Sequence, residues 1–375
     1  MLHRNKPVLV AYVSGHGYGH FTRSEAVLAR LAETAEIHVR TSAQALRLAR
    51  RMPPDRMFAS VTEVDVGPGV AQAGPLAVDL AATRAALQQH LDGFDALVES
   101  EARALVRLGA SAVFADVPPV AFAAAARAGV PSVGMSNFSW SWIYAGYETE
   151  DPWFGQAAAR LARAEAEATL FLGLAMGGGL EVFPRIEPIP PVARRPVRDR
   201  AEVRSLLGLT DEKRPVVLTS FGGFGGELDL RTALAGNPDH RFLVVSGPSD
   251  LALHNATSID PSAGAGDAGG LTHPELTQAA DCVIGKPGYG TVAECLFGPT
   301  PFVYVPRGAF REYPPLVEAI ARYLPSAPLS LADLSAGRWS DAIARAMAAR
   351  PPEVAPAANG AEVAAARIAS LMGAG

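Results

Sequence analysis

The sequence predicts an α/β protein built from two doubly wound, Rossmann-like domains. Three observations carry that expectation. The chain has 375 residues, beyond the roughly 250–300 at which a single core stops growing. Short β-branched runs alternate with alanine-rich helical stretches in both halves, the pattern of parallel βαβ units whose crossover helices cover both sheet faces. Glycine-rich turns follow several of the strands, where a parallel sheet presents its carboxyl ends to a ligand.

Taken in order, "VLVAYV" is a strand, followed by a helix over "TRSEAVLARLAE", the strand "EIHVRT" and a helix over "SAQALRLARRM". One long helical stretch is expected across "DLAATRAALQQHLDGFDALVESEARALVRLG", then the strand "SAVFADV", the helix "AFAAAARAG" and the strand "PSVGMS". Residues 183–200, "FPRIEPIPPVARRPVRDR", are dense in proline and arginine. Proline cannot continue a helix or a central strand, so this stretch reads as an interdomain linker. The expected division is a domain at 1–190, a linker at 191–200, a second domain at 201–350 and a helical segment at 351–375. Beyond the linker the alternation restarts with "PVVLTSFGGFGG", "RFLVVSG", "DCVIGKPGYGTVAECLFG" and "PFVYVP". Residues 257–270, "TSIDPSAGAGDAGG", read as a flexible surface loop, and "GAEVAAARIASLMG" as a terminal helix. The glycine turns of both halves are expected to line one central cleft.

A hydrophobic fraction of 49% with 19% charged residues fits a folded protein and excludes global disorder. No apolar run reaches the roughly 18 residues of a membrane span, and no signal-peptide pattern is present, so a cytoplasmic protein without an integral membrane segment is expected. Two cysteines, Cys282 and Cys295, are too few for a disulfide scaffold or a structural zinc site and read as core thiols. A net charge of −5 carries no basic footprint for nucleic acid. The expected partners are small molecules.

The most unusual segment is "SGHGYGH", residues 14–20. Gly15 and Gly17 fit the first two glycines of a dinucleotide fingerprint, but His20 stands where the third must let helix and strand pack closely. Two histidines without a nearby cysteine or acidic ligand do not make a zinc site. What remains is a glycine loop, with Gly17 and Gly19 near the substrate, that presents His20 at a helix N-terminus. The positive end of a helix disfavours imidazolium, which suits a neutral general base; His16 is the second candidate. Simple capping and packing by both histidines is the other reading. Asp116, at the end of "VFADV", either orients the base as in triad logic or caps the following helix.

In the second half, "IGKPGYGTVAECLFG" places Lys286, Gly288, Tyr289, Gly290 and Thr291 where a strand turns into a helix, a phosphate-binding arrangement. Pro287 after Lys286 rules out a Walker loop. Glu294, one turn on, either accepts from ribose hydroxyls or stabilises the helix dipole. "LTSFGGFGG" adds Ser220, Gly222 and Gly223 as possible diphosphate contacts. "NFSWSWIYAGY" concentrates aromatics, with Asn137, Phe138, Ser139 and Trp140 as acceptor contacts; a plain core or lid fits equally. No convincing D-x-D metal motif occurs, "EVD" at 63–65 and "ELD" at 227–229 being the nearest.

Four blocks, "SGHGYGHFTR", "FADVPPVAFAAAARAGVPSVGMSNFSWSWIYAGY", "LTSFGG" and "DCVIGKPGYGTVAECLFGPTPFVYVPR", resemble GT-B nucleotide-sugar glycosyltransferases, and within them the glycosyltransferase-like N-terminal region of plant L-arabinokinases and stand-alone bacterial relatives. The likeness runs in order over most of residues 8–323. It implies two facing Rossmann-like domains and a hexosyl- or pentosyltransferase with His20 as base paired to Asp116. It implies Glu294 on the ribose and Gly288, Gly290 and Thr291 on the diphosphate. In "RGAFREYPP" it implies, more approximately, Arg307 and Glu312 near the donor sugar. The implied co-substrate is a nucleotide diphosphate-sugar, with uridine as base, and neither metal nor cofactor is needed. No sugar-kinase loop follows, so kinase activity is not expected. A nucleotide-sugar 2-epimerase of the same fold and a non-catalytic sugar-nucleotide-binding protein are the alternatives.

Overall fold

The computed structural model describes residues 6–16, 19–43, 45–46, 57–72, 77–221, 230–259, 270–351 and 353–373. It divides into two compact units. One comprises Met1–Ala71, Asp79–Ala193 and Ala358–Gly375, the other Gln72–Val78 and Arg194–Ala357.

The first unit is built on seven strands: β1 (Val8–Val13), β2 (Glu36–Thr41), β3 (Ser60–Glu63), β4 (Ala110–Asp116), β5 (Ser132–Phe138), β6 (Leu170–Gly178) and β7 (Ile186–Ile189). All pairs are parallel, in the order β3-β2-β1-β4-β5-β6-β7. The order reverses between β1 and β4, the switch point at which open α/β sheets bind ligands. Register brings three strand ends level there, since Val13 pairs with Thr41 on one side and with Asp116 on the other. The loop carrying His16 and the carboxylate of Asp116 therefore leave the sheet at the same edge.

The second unit has six parallel strands: β8 (Val216–Ser220), β9 (Arg241–Val245), β10 (Ala256–Ile259), β11 (Cys282–Gly285), β12 (Phe302–Tyr304) and β13 (Ser326–Pro328), in the order β10-β9-β8-β11-β12-β13. Here β8 and β11 meet at the switch point, with Ser220 opposite Gly285. A Cβ at Gly285 would collide with the carbonyl of Ser220, so this pairing requires glycine. Both cysteines are buried core thiols, and burial pushes the Cys282 thiol up to about 12.

Three expectations are corrected. The long helical stretch is two helices, Leu80–Asp92 and Phe94–Leu108, parted at Gly93, because glycine costs about 1 kcal/mol within a helix. The proline-rich stretch contributes β7, an edge strand, where a missing N–H on the open side breaks no ladder bond. Thr257, Ser258 and Ile259 belong to β10 rather than to a loop; residues 260–269 lie outside the described residues. The terminal helix, Gly360–Gly373, packs on β4, β7 and the helix Gly19–Leu28, all in the first unit. Among the described residues no helix is long and apolar enough to cross a membrane.

Trp339 anchors the second unit's core. It is fully buried, its Nε1–H donates to the Leu334 carbonyl at 3.1 Å, and its ring meets Phe242 edge-on at 5.8 Å. Trp339→Ala should cost about 3–5 kcal/mol in urea denaturation followed by circular dichroism. A loss below about 1 kcal/mol would show that this core is not organised around the indole.

Candidate active site

Each unit gathers its own set of candidate side chains at its switch point. In the first, the chain leaves β1 with the Ser14 N–H donating to the Asp116 carbonyl at 2.8 Å. Gly17 and Tyr18 lie outside the described residues. Gly19 opens the helix Gly19–Leu28, and His20 is its second residue. The space beside Gly19 is open, since a Cβ there would meet nothing within 4 Å.

The His20 Nδ1 lies 2.8 Å from Asp116 Oδ1, and the aspartate is wholly buried. The same helix turn supplies the rest of the carboxylate's partners. Arg23 donates through Nε to Oδ2 at 2.6 Å and through Nη2 to Oδ1 at 2.5 Å, and the Ser24 hydroxyl donates to Oδ2 at 3.0 Å. Positions 20, 23 and 24 share a helix face at i, i+3 and i+4, so one turn closes over one carboxylate. Arg23 also donates to the Ser136 hydroxyl at 3.0 Å and to the Asn137 side-chain oxygen at 2.9 Å, both at the end of β5.

Burial alone would raise the Asp116 carboxyl pKa; the charge and hydrogen bonds of Arg23, with His20 adding to them, outweigh it and leave the pKa lowered. An ionised carboxylate can only accept, so the imidazole proton facing it belongs on Nδ1. In the neutral imidazole, Nε2 is then the lone-pair nitrogen. Arg23 Nη2 also lies 3.0 Å from His20 Nδ1; both groups point their protons at the same carboxylate oxygen.

Aromatic rings enclose the histidines. His20 meets Phe138 edge-on at 5.6 Å and lies tilted 6.3 Å from Trp140, which His16 meets edge-on at 5.7 Å. Trp140 stacks on Tyr144 at 5.6 Å, and the Tyr144 hydroxyl donates to the Gly69 carbonyl at 2.9 Å. Gly69 has φ +70° and leaves no room for a Cβ beside the His16 ring. His20, Asp116, His16, Phe138 and Trp140 are thus brought together. Asn137 and Ser139 are buried and bonded within the protein: Asn137 donates to the Met176 carbonyl at 3.1 Å, and Ser139 accepts from Trp142 N–H at 3.2 Å as a helix N-cap. Asp116 does not cap the next helix, whose N-cap is Pro118.

In the second unit, the helix Tyr289–Phe297 starts after Gly288, whose position has no side-chain cap bond. The N–H groups of its first turn have no intrahelical acceptors, and side-chain space at Gly288 and Gly290 is open. Lys286 and Arg307 flank this turn. Burial, then the Arg307 charge, pushes the Lys286 ammonium down to about 8. Arg307 donates to the Pro287 carbonyl at 3.2 Å, with its guanidinium over the Phe310 ring at 3.9 Å. Tyr289 is buried and Thr291 partly exposed within the same turn, while Glu312 immediately precedes the helix Tyr313–Tyr323. Glu294 is bonded through Oε2 to His273 Nδ1, and His273 Nε2 to Ser220 Oγ at 2.9 Å. Gly222 and Gly223 lie outside the described residues. Among the described residues, no group of three or more His, Cys, Asp or Glu could hold a metal ion.

Comparison with solved structures identifies this architecture. MurG of Acinetobacter baumannii superposes with a TM-score of 0.58, covering 97% of this chain and 99% of that one at 15% identity. Arabidopsis thaliana UGT89C1 complexed with UDP gives 0.58, covering 98% and 100% at 15% identity. The chain has the GT-B fold. No family model matches this GT-B chain. By sequence it is 32% identical over 348 residues to an L-arabinokinase of Arabidopsis thaliana, 92% of this chain and 32% of that one. It is 31% identical over 154 residues to the chloroplastic monogalactosyldiacylglycerol synthase of Spinacia oleracea, 37% of this chain and 29% of that one. The GT-B chain spans about a third of the length of the curated relatives it matches.

Sequence reading missed Arg23, Ser24, His273 and Glu165. The His-x-x-Arg-Ser spacing was the available signal for the first two. Glu165 lies wholly buried at the end of the helix Trp153–Glu165 and accepts the Ser141 N–H at 3.2 Å, beneath the turn that carries Trp140. Burial pushes its carboxyl up to about 7. Between the ordinary carboxylate range and about 7, the native state holds a proton that the unfolded chain has released, so stability falls as pH rises through that window. Glu165→Gln, which keeps an acceptor for Ser141, should raise the melting temperature at about pH 8 and leave it nearly unchanged at about pH 4.5. An equal gain at both pH values would contradict a buried titrating carboxyl.

Proposed function

We propose that this protein transfers a sugar from a nucleoside diphosphate-sugar to a hydroxyl acceptor without a metal ion. The observation that carries the proposal is the buried His20–Asp116 pair, which in the neutral imidazole makes His20 Nε2 the lone-pair nitrogen, with the ring lying against the aromatic rings of Phe138 and Trp140. Solved neighbours include a glycosyltransferase complexed with UDP and another, VinC, in complex with dTDP, which supports a nucleotide donor.

The steps follow from elementary chemistry. The acceptor hydroxyl, held against the aromatic wall, gives its proton to His20 Nε2 as its oxygen attacks the anomeric carbon. Asp116 holds the ring in the productive tautomer and faces the imidazolium that forms. The bond from the anomeric carbon to the diphosphate breaks, and its electron pair leaves on the diphosphate oxygen. In the second unit, the groups suited to take up a diphosphate's charge are the first-turn N–H groups of the helix Tyr289–Phe297 and the cations of Lys286 and Arg307. Glu294 accepts from the ribose hydroxyls, and uridine is the proposed base. A 2-epimerase would release free nucleotide with no acceptor present, and a non-catalytic binder would release none.

Incubation with UDP- and dTDP-sugars and hydroxyl acceptors in the presence of a chelator should give acceptor-dependent release of nucleoside diphosphate. His20→Ala should lower that turnover by about 10²–10⁴-fold with nucleotide affinity within about twofold of wild type; near-normal turnover would remove His20 as base. Glu294→Ala should weaken nucleoside diphosphate binding in titration calorimetry by about tenfold, the range of a hydrogen bond to a charged group. Unchanged affinity would take Glu294 out of the donor site.

A further inference from the structure

Ser220, His273 and Glu294 come from three separate elements of the second unit: the end of β8, the first residue of the helix His273–Ala279, and the helix Tyr289–Phe297. They form one hydrogen-bonded chain, with His273 between the serine hydroxyl at 2.9 Å and the Glu294 carboxylate. The side chains of His273 and Glu294 are both largely buried. The helix start that carries His273 is itself secured. Thr272 and Glu275 make a capping box, and Arg198 donates to the buried Glu275 carboxylate at 3.2 Å.

We propose that His273 is a positioning residue: it fixes Glu294 for a ribose diol and commits the Ser220 hydroxyl proton away from the diphosphate. The inference rests on the reading of Glu294 as the ribose acceptor. An ionised carboxylate only accepts, so His273 donates through Nδ1. With the imidazole neutral, Nε2 is an acceptor, and the Ser220 hydroxyl donates to it. Ser220 then offers a ligand only lone pairs, which repel a phosphate oxygen. Pinning Glu294 Oε2 removes side-chain freedom before a ligand arrives, lowering the ordering cost of binding, and leaves Oε1 for the sugar hydroxyls. The selected ligand is a ribonucleoside diphosphate over its 2′-deoxy counterpart, because only the former presents both hydroxyls to one carboxylate.

The test is titration calorimetry at about pH 8 with UDP and 2′-deoxy-UDP on wild type, Glu294→Ala, His273→Ala, the double variant, His273→Asn and Ser220→Ala. The ratio of the two affinities is read, since it does not depend on the fraction of folded protein. Wild type should prefer UDP by about tenfold or more, and His273→Ala should reduce the preference to about two- to threefold. Asparagine, whose side-chain N–H can still reach Glu294, should restore most of it. The double variant should discriminate no less than Glu294→Ala alone, and Ser220→Ala should leave UDP affinity within about threefold. Full preference in His273→Ala, no rescue by asparagine, equal binding of both nucleotides by wild type, or a loss of about tenfold or more in Ser220→Ala would each overturn the inference. A wild-type protein that binds neither nucleotide would instead overturn the donor-site reading on which it rests.

Discussion

Everything at the first unit's switch point is organised by one buried charge, the carboxylate of Asp116. Removing an ionised carboxylate from water is tolerated only when a counter-charge and hydrogen bonds replace the lost hydration. Here four donors do so, from His20, Arg23 twice and Ser24. All three residues sit on one turn of one helix, so satisfying the carboxylate also docks that helix over the strand ends. Arg23 extends the constraint by reaching Ser136 and Asn137 on β5. Two neighbouring strands, β4 and β5, and the helix Gly19–Leu28 are thereby tied to a single anion.

This arrangement has a consequence for the chemistry. In a simple His–Asp pair the carboxylate both orients the imidazole and attracts its proton. With Arg23 bridging both oxygens, much of the negative charge is already compensated. In the proposed reaction, orientation of the ring is then the larger contribution of Asp116, and an imidazolium formed at His20 would have the Arg23 cation as its neighbour. The second unit solves a different problem. There, the cations of Lys286 and Arg307 gather at the start of the helix Tyr289–Phe297, an arrangement that in the proposed reading suits a ligand bringing its own negative charge.

The parallel α/β architecture was legible because strand and helix periodicities differ and glycine turns mark the strand ends. His20 and Asp116 stood out for a related reason: Asp116 ends a β-branched run, His20 closes the glycine loop that follows another, and ends of neighbouring parallel strands share an edge. Arg23 was not legible, because a charged residue inside an amphipathic helix ordinarily faces water, and only tertiary packing shows that this one faces β4 and β5. His273 escaped for the same reason, being 21 positions from Glu294 on a separate helix. Local composition also misled at Ile186–Ile189, where prolines signal a linker yet the sheet's outer edge tolerates them. The break at Gly93 is invisible to hydrophobic periodicity, since both flanking helices carry compatible patterns.

The central claim is that Asp116 locks His20 in the tautomer that exposes Nε2. It is tested most directly by the imidazole nitrogen shifts of His20 in ¹⁵N-histidine-labelled protein at about pH 8, assigned by comparison with His20→Gln, at a pH where an ordinary imidazole is neutral. The account predicts a protonated Nδ1 and an unprotonated Nε2. A proton on Nε2, with Nδ1 bare against Arg23, would contradict it.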